Sequence, residues 1–105
     1  HLAGQDRLNP LQIDHLVALS NAWQTGAQRI SANARLALAN DPLNLQATIG
    51  RLNEQKSDGD AATWLPPNKA YRCTYVARQV DVKKKYGLWV TAPERAAIES
   101  ILNRC

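Results

Sequence analysis

Two stretches of this chain have the apolar, β-branched character of a strand, Leu11 to Leu19 and Leu43 to Ile49, and two strands make no more than one hairpin. The rest must be helix or loop, and its punctuation says which. Ser20 is placed to cap a helix beginning near Asn21, and Ser31 to Ala39 is rich in alanine and leucine, both strong helix formers. The turn signal Asn40-Asp41-Pro42 precedes the second strand. Residues 50–57 make a short helix, Ser57-Asp58-Gly59-Asp60 breaks it, and Pro66-Pro67 ends a further short helix containing Trp64. From Lys69 a longer helix runs to Tyr86 and stops at Gly87. Thr91-Ala92-Pro93-Glu94 has the form of a capping box and opens a last helix carrying Ile98, Ile101 and Leu102. The expected fold class is α+β, mostly helical, with one short two-stranded hairpin.

Length limits this fold to one core. At 105 residues and 45% hydrophobic, the chain suits a single small domain, expected over residues 12–105 after an irregular lead-in, residues 1–11, with a turn signal at Asn9-Pro10. Trp23 and Trp64 are expected in that core, with base stacking as the alternative for Trp23. So are the two stripes of the long helix, Cys73, Val76 and Val80 beside Tyr71, Tyr75, Val82 and Tyr86. No run of eighteen apolar residues occurs, and the start HLAGQDRLNP has neither a charged n-region nor an apolar h-region, so no membrane span or signal peptide is expected. Any export signal has then been removed.

Cys73 and Cys105 are the two cysteines, too few and too far apart for a zinc ribbon. A disulfide is the better reading and implies an oxidising compartment, hence secretion; two buried free thiols in a cytosolic protein are the alternative.

The residues with chemistry to offer lie around the two strands. His15 is the one histidine away from the terminus, and imidazole is the side chain whose ordinary pKa suits a base near neutrality. Asp14 beside it and Asn53 offer oxygen ligands, which suit a hard cation such as Mg2+ or Mn2+. Neighbours on a strand point to opposite faces, so Asp14 and His15 serve one site only if the strand ends or bends there. Asn53 and Lys56 are three apart on the short helix and share a face, which directs Lys56 to a phosphate or against a loop.

The order Asp14-His15, Asn44, Asn53-x-x-Lys56 resembles the HNH nucleases, also called ββα-metal or His-Me finger nucleases, with nine positions from Asn44 to Asn53 as in the HNH domain of CRISPR-guided DNA nucleases. Beyond the site, IDHLVALSNAW (13–23), ANDPLNL (39–45), NEQKSDGD (53–60), WLPP (64–67), YRCTYVARQV (71–80) and the closing Cys105 resemble a secreted branch sharing the domain named after the C-terminal part of GmrSD restriction enzymes. The resemblance implies a ββα-metal finger surrounded by further helices, with His15 as general base and Asn44 holding that base. It makes Asn53 and Asp14 the ligands of one divalent cation, Mg2+ before Mn2+. Many HNH proteins place histidine where this chain has Asn53, a variant that weakens metal affinity.

Net charge is +4, the sign that suits a polyanionic partner. Arg72, Arg78 and Lys83 to Lys85 crowd the long helix, where they are a solvated face or, with Lys56, contacts to phosphate. The expected activity is hydrolysis of phosphodiester bonds with little sequence preference, in double-stranded DNA first, leaving 5′-phosphate and 3′-hydroxyl ends. No protein partner is inferable. The competing readings are a nucleic-acid-binding module of the same fold with little catalysis, and a purely structural extracellular domain.

Overall fold

A computed structural model of the chain describes residues 11–105, so the expected lead-in lies outside the described residues except for Leu11. The elements run β1 (Leu11–His15), α1 (Leu19–Gln24), a 3-10 turn (Ala27–Arg29), α2 (Ala32–Asn40), a second 3-10 turn (Pro42–Asn44), β2 (Leu45–Ile49), α3 (Gly50–Lys56), a third 3-10 turn (Lys69–Tyr71), α4 (Arg72–Lys85) and α5 (Ala92–Leu102). The architecture is α+β and mostly helical.

The strands pair antiparallel in a register running from Leu11 opposite Ile49 to His15 opposite Leu45, and α3 packs across both. β1 is shorter than the apolar run suggested. It stops at His15 because Leu16 and Val17 leave the sheet and enter separate hydrophobic clusters. Leu16 joins Ala61, Tyr75, Val76 and Ile98, while Val17 joins Ala22, Ala27, Leu38 and Val82. α4 supplies side chains to both clusters, so the residues just after Asp14-His15 are anchored on either side of it.

Within β1 the usual alternation is inverted. Gln12 and Asp14 face inward and are buried, whereas Leu11 and Ile13 are more than half exposed. A polar inner face costs free energy unless each group finds a partner, and the partners come from α3.

Several helix boundaries follow the signals in the sequence. Ser31 caps α2 by accepting from Ala34 N–H at 3.0 Å, Thr91 caps α5 through Glu94 N–H, and α4 ends before Gly87. Others differ. α1 begins at Leu19 without a side-chain cap, because the Ser20 hydroxyl faces Asp58 and Gln24 instead. The helix expected before Pro66-Pro67 is a turn, held by Asp60: its carboxylate accepts from Ala62 N–H and its carbonyl from Trp64 N–H, the local competition by which aspartate disfavours a helix. Trp64 does pack edge-on against Tyr75, with ring centroids 5.9 Å apart. Trp23, expected in the core, is half exposed.

Cys73 and Cys105 form a disulfide across 32 residues, tying α4 to the end of the chain beyond α5. No described helix is long and apolar enough to cross a membrane.

Candidate active site

The end of β1, the second half of α3 and the turn after it line an open cavity of about 410 Å³ whose lining includes Asp14, His15, Asn53, Glu54, Ser57 and Asp58, together with Leu19 and Ser20 of α1. Asp14 and His15 alternate along a strand yet both reach this space, which is what the strand's end at His15 allows.

His15 is oriented by the backbone. Its Nε2 lies 2.9 Å from the carbonyl oxygen of Ala39, and a carbonyl only accepts. Nε2 therefore carries the hydrogen, and in the neutral ring Nδ1 keeps the lone pair. Ala39 is next to last in α2, where carbonyls lack intrahelical partners. The contact thus fixes the tautomer and the ring's orientation.

Asn44 acts one step further back. Its side chain is fully buried and brackets the backbone of Val17, accepting from Val17 N–H at 2.7 Å and donating to Val17 O at 3.3 Å, while Asn44 O accepts from Leu16 N–H at 2.8 Å. These bonds fix the end of β1 on which His15 sits, and it is Ala39 that holds the ring itself.

Asp14 is buried against Lys56. Its Oδ2 accepts from Lys56 Nζ at 2.8 Å, and the same ammonium donates to the carbonyl of His15 and lies 5.6 Å from the centre of the Tyr75 ring. Burial pushes the Lys56 pKa down while Asp14 opposes the shift. Burial pushes the Tyr75 phenol up, with Asp14 adding to the effect, so that ring stays neutral. Asn53 donates through Nδ2 to Gln12 Oε1 at 2.9 Å, which makes its carbonyl oxygen the atom suited to a cation. Gln12 lies so close to the start of α3 that a Cβ on Gly50 would come within 2.9 Å of its amide nitrogen.

The donors facing the cavity are oxygens from Asp14, Asn53, Glu54, Ser57 and Asp58. That set fits a hard, largely hydrated cation such as Mg2+ or Mn2+. Among the described residues, no group of three or more His, Cys, Asp or Glu side chains is placed to hold a metal ion.

The basic residues expected on phosphate all make contacts within the fold. Lys56 is inside, on Asp14. Arg72 donates from Nε to Pro66 O at 2.8 Å, and Arg78 gathers the carbonyls of Pro42, Leu43 and Leu45. Lys83 is 3% exposed and paired with Glu94 at 3.0 Å. Among the described residues, no Lys or Arg lines the cavity. Sequence reasoning also passed over Gln12, although it lies two residues before Asp14 and so shares its strand face, and over Glu54 within the short helix and Asp58 just beyond it.

Compared with known proteins, the chain matches the family "GmrSD restriction endonucleases, C-terminal domain" over residues 2–100. It is 41% identical over 97 residues to an uncharacterized secreted protein of Arthroderma benhamiae, an alignment covering 90% of this chain and 48% of that protein. The chain thus spans about half the length of the curated relative it matches. No solved structure matches it.

Proposed function

The chain belongs to the family of the GmrSD restriction endonuclease C-terminal domain, and from that membership and the cavity at the end of β1 we propose that it is an HNH-type, metal-dependent endonuclease with His15 as general base. The observation that carries this reading is the convergence of Asp14, His15 and Asn53, from segments far apart in sequence, on one cavity.

Nδ1 of His15 takes a proton from a water molecule, whose oxygen attacks phosphorus as the bond to the 3′ oxygen breaks. The products are a 5′-phosphate and a 3′-hydroxyl, the latter protonated from solvent. Throughout, Nε2–H stays on Ala39 O, so the ring accepts its second proton without turning. Asp14 and Asn53 are the residues that would hold a divalent cation, Mg2+ before Mn2+, and the chemistry it supplies is positive charge beside the phosphate and the departing oxygen. The lining supports metal dependence, because Glu54 and Asp58 repel a phosphodiester unless that charge is offset.

The substrate class proposed is DNA, double-stranded first, with little sequence preference, since backbone contacts carry little sequence information. The disulfide and the secreted relative favour action outside the cell. A second reading, nucleic-acid binding without useful cleavage, is favoured by one contact, the Lys56 ammonium already neutralising Asp14.

Plasmid nicking separates the two. Nicking is expected in Mg2+ or Mn2+, is abolished by chelator, and falls roughly 10²–10⁴-fold in His15→Ala, the usual contribution of a general base. Nicking undiminished in chelator or in His15→Ala would overturn the mechanism, and binding without nicking in either metal would select the second reading.

A further inference from the structure

Two of the chain's three tryptophans remain at the surface: Trp23 is 50% and Trp89 43% exposed. Each has a guanidinium on its ring, Arg35 Cζ lying 5.6 Å from the centre of Trp23 and Arg29 Cζ 5.2 Å from that of Trp89. Both rings are held in place. Arg35 is anchored by donating to the carbonyls of Ile30 at 2.8 Å and Ala27 at 3.2 Å. The Trp89 backbone N–H donates to Thr25 O at 2.8 Å, and its ring lies against Gly26, where φ is +125° and a Cβ would meet ring carbon Cζ3 at 3.0 Å. Beneath them the buried Lys83 ammonium donates to Thr25 Oγ1 and to Trp89 O. The two aromatic groups therefore flank the Thr25–Gly26 corner as a preorganised surface.

Charge and position say what it fits. Residues 16–40 and 82–93, which build this surface, contain no Asp or Glu, in contrast to the acidic cavity. Leu19 and Ser20 of α1 line that cavity, and Trp23 follows them by four and three residues, which places it on the same helix face, about 6 Å further along the axis. A strand leaving the cavity in that direction meets indole faces flanked by arginine.

We infer that this surface binds an unpaired segment of nucleic acid next to the scissile position, with bases stacked on Trp23 and Trp89 and Arg29 on a phosphate. The inference rests on the proposed nuclease reading for its ligand and not for its chemistry. It also adds a strand preference: a duplex with a single-stranded overhang binds better than a blunt one.

The test is binding of a labelled single-stranded oligodeoxynucleotide to the whole chain in chelator, followed by fluorescence anisotropy, with a blunt duplex for comparison and thermal unfolding to establish that each variant is folded. Trp23→Ala and Trp89→Ala should each weaken single-strand binding about 5- to 150-fold, the range for loss of one stacked base, and leave blunt-duplex binding nearly unchanged. Trp23→Phe should keep most of the affinity, and Arg29→Ala should lower the slope of log K against log salt by about 0.7. Single-strand affinity unchanged in both alanine variants, or lost equally for the blunt duplex, would overturn the inference. Plasmid nicking by the wild type is read separately: its absence alongside Trp-dependent binding sinks the catalytic reading alone, and its presence with Trp-independent binding sinks this one alone.

Discussion

At the scale of single residues, the site depends on a lysine in a role that its sequence position does not suggest. Lys56 is 2% exposed, and its ammonium compensates Asp14 where water cannot. Breaking a buried pair by removing one partner leaves an uncompensated charge and costs about 3–5 kcal/mol, whereas replacing both is far cheaper. Lys56→Met should therefore lower the melting temperature by well over 10 °C in thermal unfolding, given a shift of about 4–8 °C per kcal/mol for a domain near this size. The double variant Asp14→Asn/Lys56→Met should recover much of that loss. Lys56→Met as stable as the wild type would mean that the pair contributes nothing to the fold. Asn53 and Lys56 were legible as one helix face from their spacing. That Lys56 turns inward to a carboxylate 42 positions earlier was not, because it depends on the inverted β1 presenting Asp14 to the underside of α3.

Among the elements, the junction between α2 and β2 does most to position the site. The C-terminal end of α2 holds His15 through Ala39, and the next residue but one, Asp41, accepts from Leu43 N–H, Lys85 Nζ and Tyr86 Oη, joining this junction to the end of α4. Hydrogen bonds from Lys85, then Tyr86, then Leu43 lower its pKa from 3.8 to about 2. Since the folded value lies below the unfolded one, the unfolded chain binds a proton first as pH falls. The stabilisation is complete above about pH 4 and is lost as the pH drops through about 2. Melting temperatures measured across this window should fall more steeply in the wild type than in Asp41→Asn, and parallel curves would show that the carboxylate is not coupled to folding. The cap at Thr91 and the stop at Gly87 were readable because they act over three or four residues. The length of β1 was not: Leu11 to Leu19 is apolar throughout, and only the two clusters that take Leu16 and Val17 decide where the strand ends.

Across the whole molecule, the covalent cross-link sits away from the candidate site. The cavity lies between the hairpin, α1 and α3, whereas the disulfide joins α4 to the chain terminus and neither cysteine lines the cavity. A cross-link over 32 residues constrains the unfolded chain by roughly 3–4 kcal/mol as a ceiling, a large share of the 5–15 kcal/mol typical of a domain. Cys73→Ser/Cys105→Ser should then melt roughly 10–25 °C below the wild type, and chemical reduction of the wild type should reproduce that loss. At a temperature where the variant is still folded, its plasmid nicking in Mg2+ or Mn2+ should match the wild type, because Ala39, Asn44 and Lys56, which orient His15 and Asp14, are all held by contacts that do not involve α5. Nicking that falls in the folded variant would instead couple the terminus to the cavity through α4, whose Tyr75 lies under Lys56 and whose Cys73 is two residues away.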